Sequence, residues 1–403
     1  MTLILEYLLG ALLQLLGALG ASGLVYRLFI RRLDLPERWK PLCAFAMAGA
    51  GESLLLGALS LVACTPVWFL VSLFWVKVAL VLPLFAGPCR ISSPLRELMR
   101  RPLLGFWTVA LLLNASLPTS CYDAFTSHFA VARLFLEAGG HPARFDYQYL
   151  FALPLGGHMW LLPGLAAGFE GAANFATPLF SVALVYLFEV AMGRKGAIWA
   201  FLILLSIPQF IRLSLDPMMD APCLFYATFG LLLLRTDRFR YARATWMIAG
   251  LSWALLAGIK QTLLPFWVLW SCLFLWAVRE AKIPWRKAVG LFLGVAVMAL
   301  FWYARNLIYT ANPVYPFFFS RDAAPLIPSG SLPPVNSLSV GSLWDYLFVV
   351  FLDRRWMLSI GPWFLAFLPC LLRTGRQSRG LRVAKVLLFL GFLLTMYFRP
   401  FKN

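Results

Sequence analysis

Between Pro118 and Pro163 the chain reads PTSCYDAFTSHFAVARLFLEAGGHPARFDYQYLFALPLGGHMWLLP. All three histidines of the protein lie here, His128, His141 and His158, together with Asp123 and Asp146. Carboxylates and imidazoles are the side chains that most often move protons near neutral pH. Asp123 opens the polar stretch directly after an apolar run. It can cap the helical pattern that follows, or act as a general base at a membrane surface, and one side chain can do both. The apolar residues Phe125, Phe129, Val131, Leu134, Phe135 and Leu136 recur at roughly helical spacing behind it. His128, five residues on, and His158 in LGGHMW can orient a substrate through their ring nitrogens. No metal is assigned. A divalent ion is compatible with two or three histidines and two acids, but their spacing matches no metal motif.

Other chemistry-bearing residues come from distant segments. Asp216 and Asp220, in LSLDPMMDAP, are four apart, which predicts one helix face. They read either as favourable charge at a helix N-terminus or as an acidic element facing the Asp123 loop, with Arg212 near enough to neutralise them. Lys260, in LAGIKQTLLP, and Arg305, in WYARNLIYTANPVYPF, stand at the ends of apolar runs. Each is an interfacial anchor that snorkels outward or a cationic seat for a phosphate. Glu52 and Lys77 differ, because both fall inside apolar runs. They lie about equally far from the turn near Thr65, roughly 18–20 Å below it at the helical rise. A charge in that position needs a partner, so the two are predicted to form a buried structural ion pair.

The elements that must position these groups follow from composition. Hydrophobic residues make up 61% of the 403 and charged residues 13%. That is far too apolar for a soluble surface of this size. The pattern predicts an all-α, polytopic transmembrane bundle of about twelve spans. They fall near 3–27, 41–62, 67–87, 103–117, 171–192, 196–213, 218–235, 244–259, 263–279, 286–305, 357–373 and 384–398. The net charge of +18 could suggest nucleic acid, but its placement does not. Arg27 and six short loops (31–40, 89–102, 194–195, 235–243, 279–287 and 373–385) hold 24 of the 35 Lys and Arg residues. All six fall on one side of a twelve-span chain, which makes them cytoplasmic. Membrane lipids are the implied partner, and nucleic acid is not. The seven cysteines occur with no CxxC pair and several sit in apolar runs, so neither disulfide nor metal is inferred.

Parity then decides the first polar stretch. The span ending near Leu117 exits on the outer side, and the span from 171 must enter from there. The apolar segment 149–169 is therefore an interfacial or re-entrant element, broken by Pro154, Gly156, Gly157 and Pro163. Residues 118–170 form one outer loop.

The order YDAFTSHFA, PLGGHMW, SLDPMMDAP, GIKQT and WYARNLIYTANPVYPF resembles that of GT-C-type membrane glycosyltransferases. It is similar to the dolichyl-phosphate-mannose protein mannosyltransferases and the lipid A aminoarabinose transferase. The resemblance covers about 103–320 and rests on order and topology rather than on any one motif. It implies a GT-C-like catalytic core over 103–320, with the outer loop 118–170. Before it lies a three-span module, 1–102, and after it an outer loop and two spans, 321–403. It implies a polyprenyl-phosphate sugar donor and a lipid, glycan or protein acceptor at the outer face of a bacterial inner membrane. Asp123 would then act on the acceptor, and Lys260 and Arg305 would hold the donor phosphate. Where related chains often carry an acid, this one has His158. Two other readings stay open. One is a transporter or flippase of lipid-linked sugars, which would hold its decisive charges near the midplane. The other is a non-catalytic membrane assembly subunit.

Overall fold

The structure is a computed structural model that describes residues 2–33, 35–61, 65–83, 101–119, 124–140, 154–235, 243–260, 271, 279, 301–308 and 312–313. Among these every regular element is helical and none is a strand. Three helical stretches are long and apolar enough to cross a membrane: Thr2–Leu28, Lys40–Ser60 and Glu170–Leu205. Shorter apolar helices are Val67–Ala79, Pro102–Ala115, Asp220–Leu233 and Thr245–Ile259. The described residues are thus all-helical, with the apolar helices of a membrane protein. The expected spans 263–279, 357–373 and 384–398 lie almost wholly outside the described residues, as does most of 286–305.

Helix α1, Thr2–Leu28, turns Gly10, Ala11, Gln14, Gly17 and Gly20 inward. Leu3, Ile4, Leu5, Leu9, Leu12 and Leu19 face outward and stay exposed. In water such a surface would aggregate, whereas in a bilayer it is the lipid-facing side. The inward glycines let other backbones approach closely, as small residues do between membrane helices. α1 packs against α2 (Lys40–Leu61), α3 (Val67–Ala79) and the short helix Glu170–Ala176. A Cβ on Gly20 would lie 2.1 Å from the Lys77 carbonyl oxygen, and one on Gly171 would lie 1.9 Å from that of Tyr7. Both obstacles are backbone and cannot swing aside. Gly171→Ala is therefore expected to lower the melting temperature in detergent sharply. Gly51→Ala is the control, since nothing lies within 4 Å of its Cβ position and its backbone is helical.

Helix α4, Pro102–Ala115, begins with Pro in its first turn, where the missing N–H costs nothing. After it come a π-helical turn, Ala124–Phe129, and α5, Ala130–Glu137. The amphipathic pattern expected there is present in part. Phe129, Val131 and Phe135 are buried, but Phe125 is 56% exposed. The apolar segment 149–169 was expected to be broken rather than a crossing. Its described part, from Pro154, is a 3₁₀ turn (His158–Trp160) and the five-residue α6, Leu162–Ala166.

One expectation is refined and one corrected. The expected span 171–192 falls within the spanning stretch Glu170–Leu205, which consists of α7, Glu170–Ala176, and α8, Leu179–Leu205. Inside α8, Gly193 has φ 73 and ψ 169, which interrupts the helix beside the exposed Arg194 and Lys195. Only glycine adopts such a backbone freely. That break is where the charge pattern sets a turn between spans, but the following segment bends again at Ser206–Ile207 before α9, Pro208–Leu215. Asp216 and Asp220 do not share a helix face. Asp216 ends α9 in an extended conformation (φ −86, ψ 156), and Asp220 begins α10, Asp220–Arg235. Pro217 is the cause, because the residue before a proline is pushed out of the helical region. α11, Arg243–Ile259, then packs along α10 and against α2.

Candidate functional site

The segment LPLGGHMW is fastened between two helices. The Gly156 N–H donates to the Gly258 carbonyl at 2.9 Å, and the Ser53 hydroxyl donates to the Gly156 carbonyl at 2.7 Å. Trp160 Nε1 donates to the Gly49 carbonyl at 2.8 Å. The loop thus satisfies its polar backbone on α2 and on the last turn of α11, as irregular backbone inside a membrane protein must. A Cβ on Gly156 would sit 2.6 Å from the Gly258 oxygen, so the close approach requires glycine there. These glycines read in the sequence as helix breakers; their second role, contact with a distant backbone, has no local signal.

This fastening buries His158, which is 7% exposed. Its Nε2 lies 2.9 Å from Nδ1 of His128, delivered by the π-helical turn, and the ring centroids are 4.9 Å apart. Nδ1 of His158 is buried with no hydrogen-bond partner. Burial pushes the His158 imidazole well below the usual histidine range, and His128 acts in the same direction. His158 is therefore neutral.

An ion pair lies alongside. Lys260, just past α11, donates from Nζ to both carboxylate oxygens of Asp220 at 2.8 Å. Both side chains are about a third exposed, at 32% and 29%. The segments that carry the two pairs adjoin at Gly157. A Cβ on Gly157 would meet Met219 Sδ at 2.3 Å and Ile259 at 3.1 Å, and these residues adjoin Asp220 and Lys260. Lys260 is therefore paired, and Asp220 accepts from it through both carboxylate oxygens.

Arg305 is 3% exposed, within the helical residues 301–308. Its guanidinium lies 5.0 Å from the Trp302 ring centroid and donates to Asn306 Oδ1 at 2.7 and 3.2 Å. The Tyr303 hydroxyl donates to the Ala257 carbonyl at 2.6 Å. That bond sets the Arg305 helix against the same end of α11 that carries Lys260. Asp123, His141 and Asp146 lie outside the described residues, although Asp123 directly precedes the turn that carries His128.

Glu52 and Lys77 are together: Lys77 Nζ donates to Glu52 Oε1 at 2.6 Å, with the side chains 14% and 6% exposed. A cavity of about 30 Å³ beside them is lined by Gln14, Ser22, Glu52, Lys77 and Trp160, among others. Two further ion pairs have no counterpart in the sequence reading. Arg101 donates to Glu189 at 2.6 Å and lies over the Tyr186 ring. Glu170 accepts from both Tyr7 and Arg133. Among the described residues no group of three or more His, Cys, Asp or Glu could hold a metal ion.

The Lys260–Asp220 pair is too exposed to carry much stability. Asp220→Asn is expected to melt within a few degrees of wild type, because pairs of this exposure contribute about 1 kcal/mol or less. Melting curves in detergent check this.

Comparison with protein-family models, with curated proteins and with solved structures finds no match to this chain.

Proposed function

We propose that this protein is an inverting glycosyltransferase of the GT-C type in the bacterial inner membrane. It would move a sugar from a polyprenyl-phosphate donor to a cell-envelope acceptor on the outer face, within a bundle of about twelve spans. One observation carries the reading. A histidine pair and an aspartate–lysine pair are carried by segments that adjoin the loop fastened to the middle of α2 and the last turn of α11. Proton-transfer groups and a cation on adjoining segments suit the displacement of a lipid phosphate by a hydroxyl.

In this mechanism the acceptor oxygen attacks the anomeric carbon while the bond to the lipid phosphate breaks with its electron pair. Asp123 deprotonates or orients the acceptor hydroxyl. Lys260 and Arg305 stabilise the departing phosphate, and Asp216 and Asp220 position the sugar or the lysine. The donor phosphate competes with Asp220 for Lys260, so the cation is kept compensated until the substrate arrives.

The transporter reading would draw on charge near the midplane. The cavity beside Glu52 and Lys77 has room for one or two waters only, since a water needs about 10–15 Å³ by this measure. No sugar fits there, which favours a structural role for that pair. The test is purified protein in nanodiscs supplied with a panel of radiolabelled polyprenyl-phosphate sugars and envelope acceptors. Transfer with inversion at the anomeric carbon and release of polyprenyl phosphate is expected. Donors that cross the bilayer uncleaved would replace this reading with the transporter.

A further inference from the structure

We propose that the cavity beside Glu52 and Lys77 is a built water site, in which one or two ordered waters hydrate the ion pair from the α1 side. The proposal stands apart from the transferase reading and needs no substrate.

The case starts from Gln14. It lies in the middle of α1, is 5% exposed, and turns inward with the glycines. Among the described residues it makes no hydrogen bond. An amide buried inside a membrane span without a partner is costly. Gln14 lines the cavity together with Ser22, Glu52 and Lys77. Ser22 Oγ is buried as well, with no hydrogen-bond partner. Serine and threonine inside a helix often donate back to the carbonyl one turn earlier. Ser252 does so to Ile248 at 2.9 Å, and Thr108 to Leu104 at 2.8 Å. Ser22 makes no such bond.

The ion pair has unused capacity beside the same cavity. A carboxylate accepts through both oxygens, and an ammonium carries several N–H groups. Among the described residues Glu52 accepts through Oε1 only, and Lys77 Nζ donates only to that oxygen. The Glu52 Oε2, the remaining lysine N–H groups, the Gln14 amide and the Ser22 hydroxyl are left for a ligand. Gln14 and Ser22 are eight positions apart, about 12 Å along α1. The lysine stem passes between them at Gly17, 3.5 Å from the Cβ position there. One water therefore belongs with Gln14, Glu52 and Lys77, and a second continues toward Ser22.

Volume and charge select water. The cavity of about 30 Å³ holds no more than two, at about 10–15 Å³ for each. The opposite charges of Glu52 and Lys77 cancel. An added ion would leave net charge inside the span, whereas a neutral ligand leaves none. Glu52 only accepts and Lys77 only donates, while Gln14 and Ser22 do both. A water, which donates and accepts, matches all four. Trp160 forms another wall but does not compete, because its N–H already donates to the Gly49 carbonyl.

The direct test uses wild-type protein labelled with ¹⁵N-glutamine in deuterated detergent micelles. The Gln14 side-chain amide, assigned by its loss in Gln14→Met, should show a cross-peak to water. An amide without that cross-peak overturns the site. Melting curves give a second reading whose sign depends on the water. Gln14→Met and Ser22→Ala should each lower the melting temperature by about 2–4 °C, because each strands a hydrogen-bonded water. In a dry cavity each change removes an unsatisfied polar group, so an unchanged or raised melting temperature overturns the proposal. Should Gln14→Met fail to fold, Ser22→Ala, which removes one oxygen, reads the same site. Replacing choline by sodium at constant ionic strength should not shift the wild-type melting temperature. A rise specific to sodium overturns water in favour of a bound cation.

Discussion

Asp123→Asn is expected to lower sugar transfer by about 10²–10⁴-fold while the protein purifies and melts as wild type, since one positioned acid–base group contributes that much. Asparagine keeps the shape of the side chain and can still cap the helical turn that starts at Ala124. It cannot accept a proton. The substitution therefore separates the two roles available to Asp123. If it acts only as a cap, the rate stays and stability hardly moves. If it is the base, stability stays and the rate falls. Donor affinity should be unchanged, because in the proposed mechanism the charge that meets the phosphate comes from Lys260 and Arg305. Single-turnover transfer, differential scanning fluorimetry and donor binding read the three quantities apart. Full transfer by a folded Asp123→Asn protein would remove the proposed base.

Breaking the Glu52–Lys77 pair on one side should cost about 3–5 kcal/mol of stability, the range for an uncompensated buried charge. Lys77 Nζ meets Glu52 Oε1 at 2.6 Å, and the two side chains are 6% and 14% exposed. The lysine stem packs along α1 at Gly17, where a Cβ would lie in ordinary contact at 3.5 Å. Removing either charge leaves the other with the buried Gln14, Ser22 and one or two waters, which solvate it poorly. Glu52→Gln and Lys77→Met should each fold badly or melt far below wild type. The double variant removes both charges and should recover most of the loss, since a neutral pair of similar volume is often as stable as the ionic one. Melting curves in detergent over the four proteins form the cycle. A Glu52→Gln protein as stable as wild type would show that the pair carries no structural load. The same variants should leave the transfer rate of the folded fraction unchanged.

What was legible in the sequence follows from how strongly a membrane constrains local pattern. Apolar runs must reach spanning length, so Thr2–Leu28 and Lys40–Ser60 could be placed to within a residue or two. An intramembrane charge needs a partner, and the chain turns back near Thr65, so Glu52 and Lys77 could be paired from their equal depth. The breakers in LPLGGHMW announced that this segment would not be a plain helix. The misplaced residues were those controlled by one local exception. Pro217 ends α9 at Asp216, so an aspartate pair four apart was split between two helices.

The polar stretch 118–163 thus owes its parts to different causes. Its composition alone marked it as the place where proton-moving groups gather. That His158 would meet His128, thirty positions before it, could not be read from spacing. The meeting depends on Ser53, Gly49 and Gly258, which are small and unremarkable in the sequence and matter only because their polar atoms hold the loop. The Lys260–Asp220 pair likewise could not be read from spacing, because Asp220 lies forty residues before Lys260. Local pattern follows from the bilayer acting on each segment separately. The partners of a buried polar atom depend on which segments touch, and only the tertiary structure decides that.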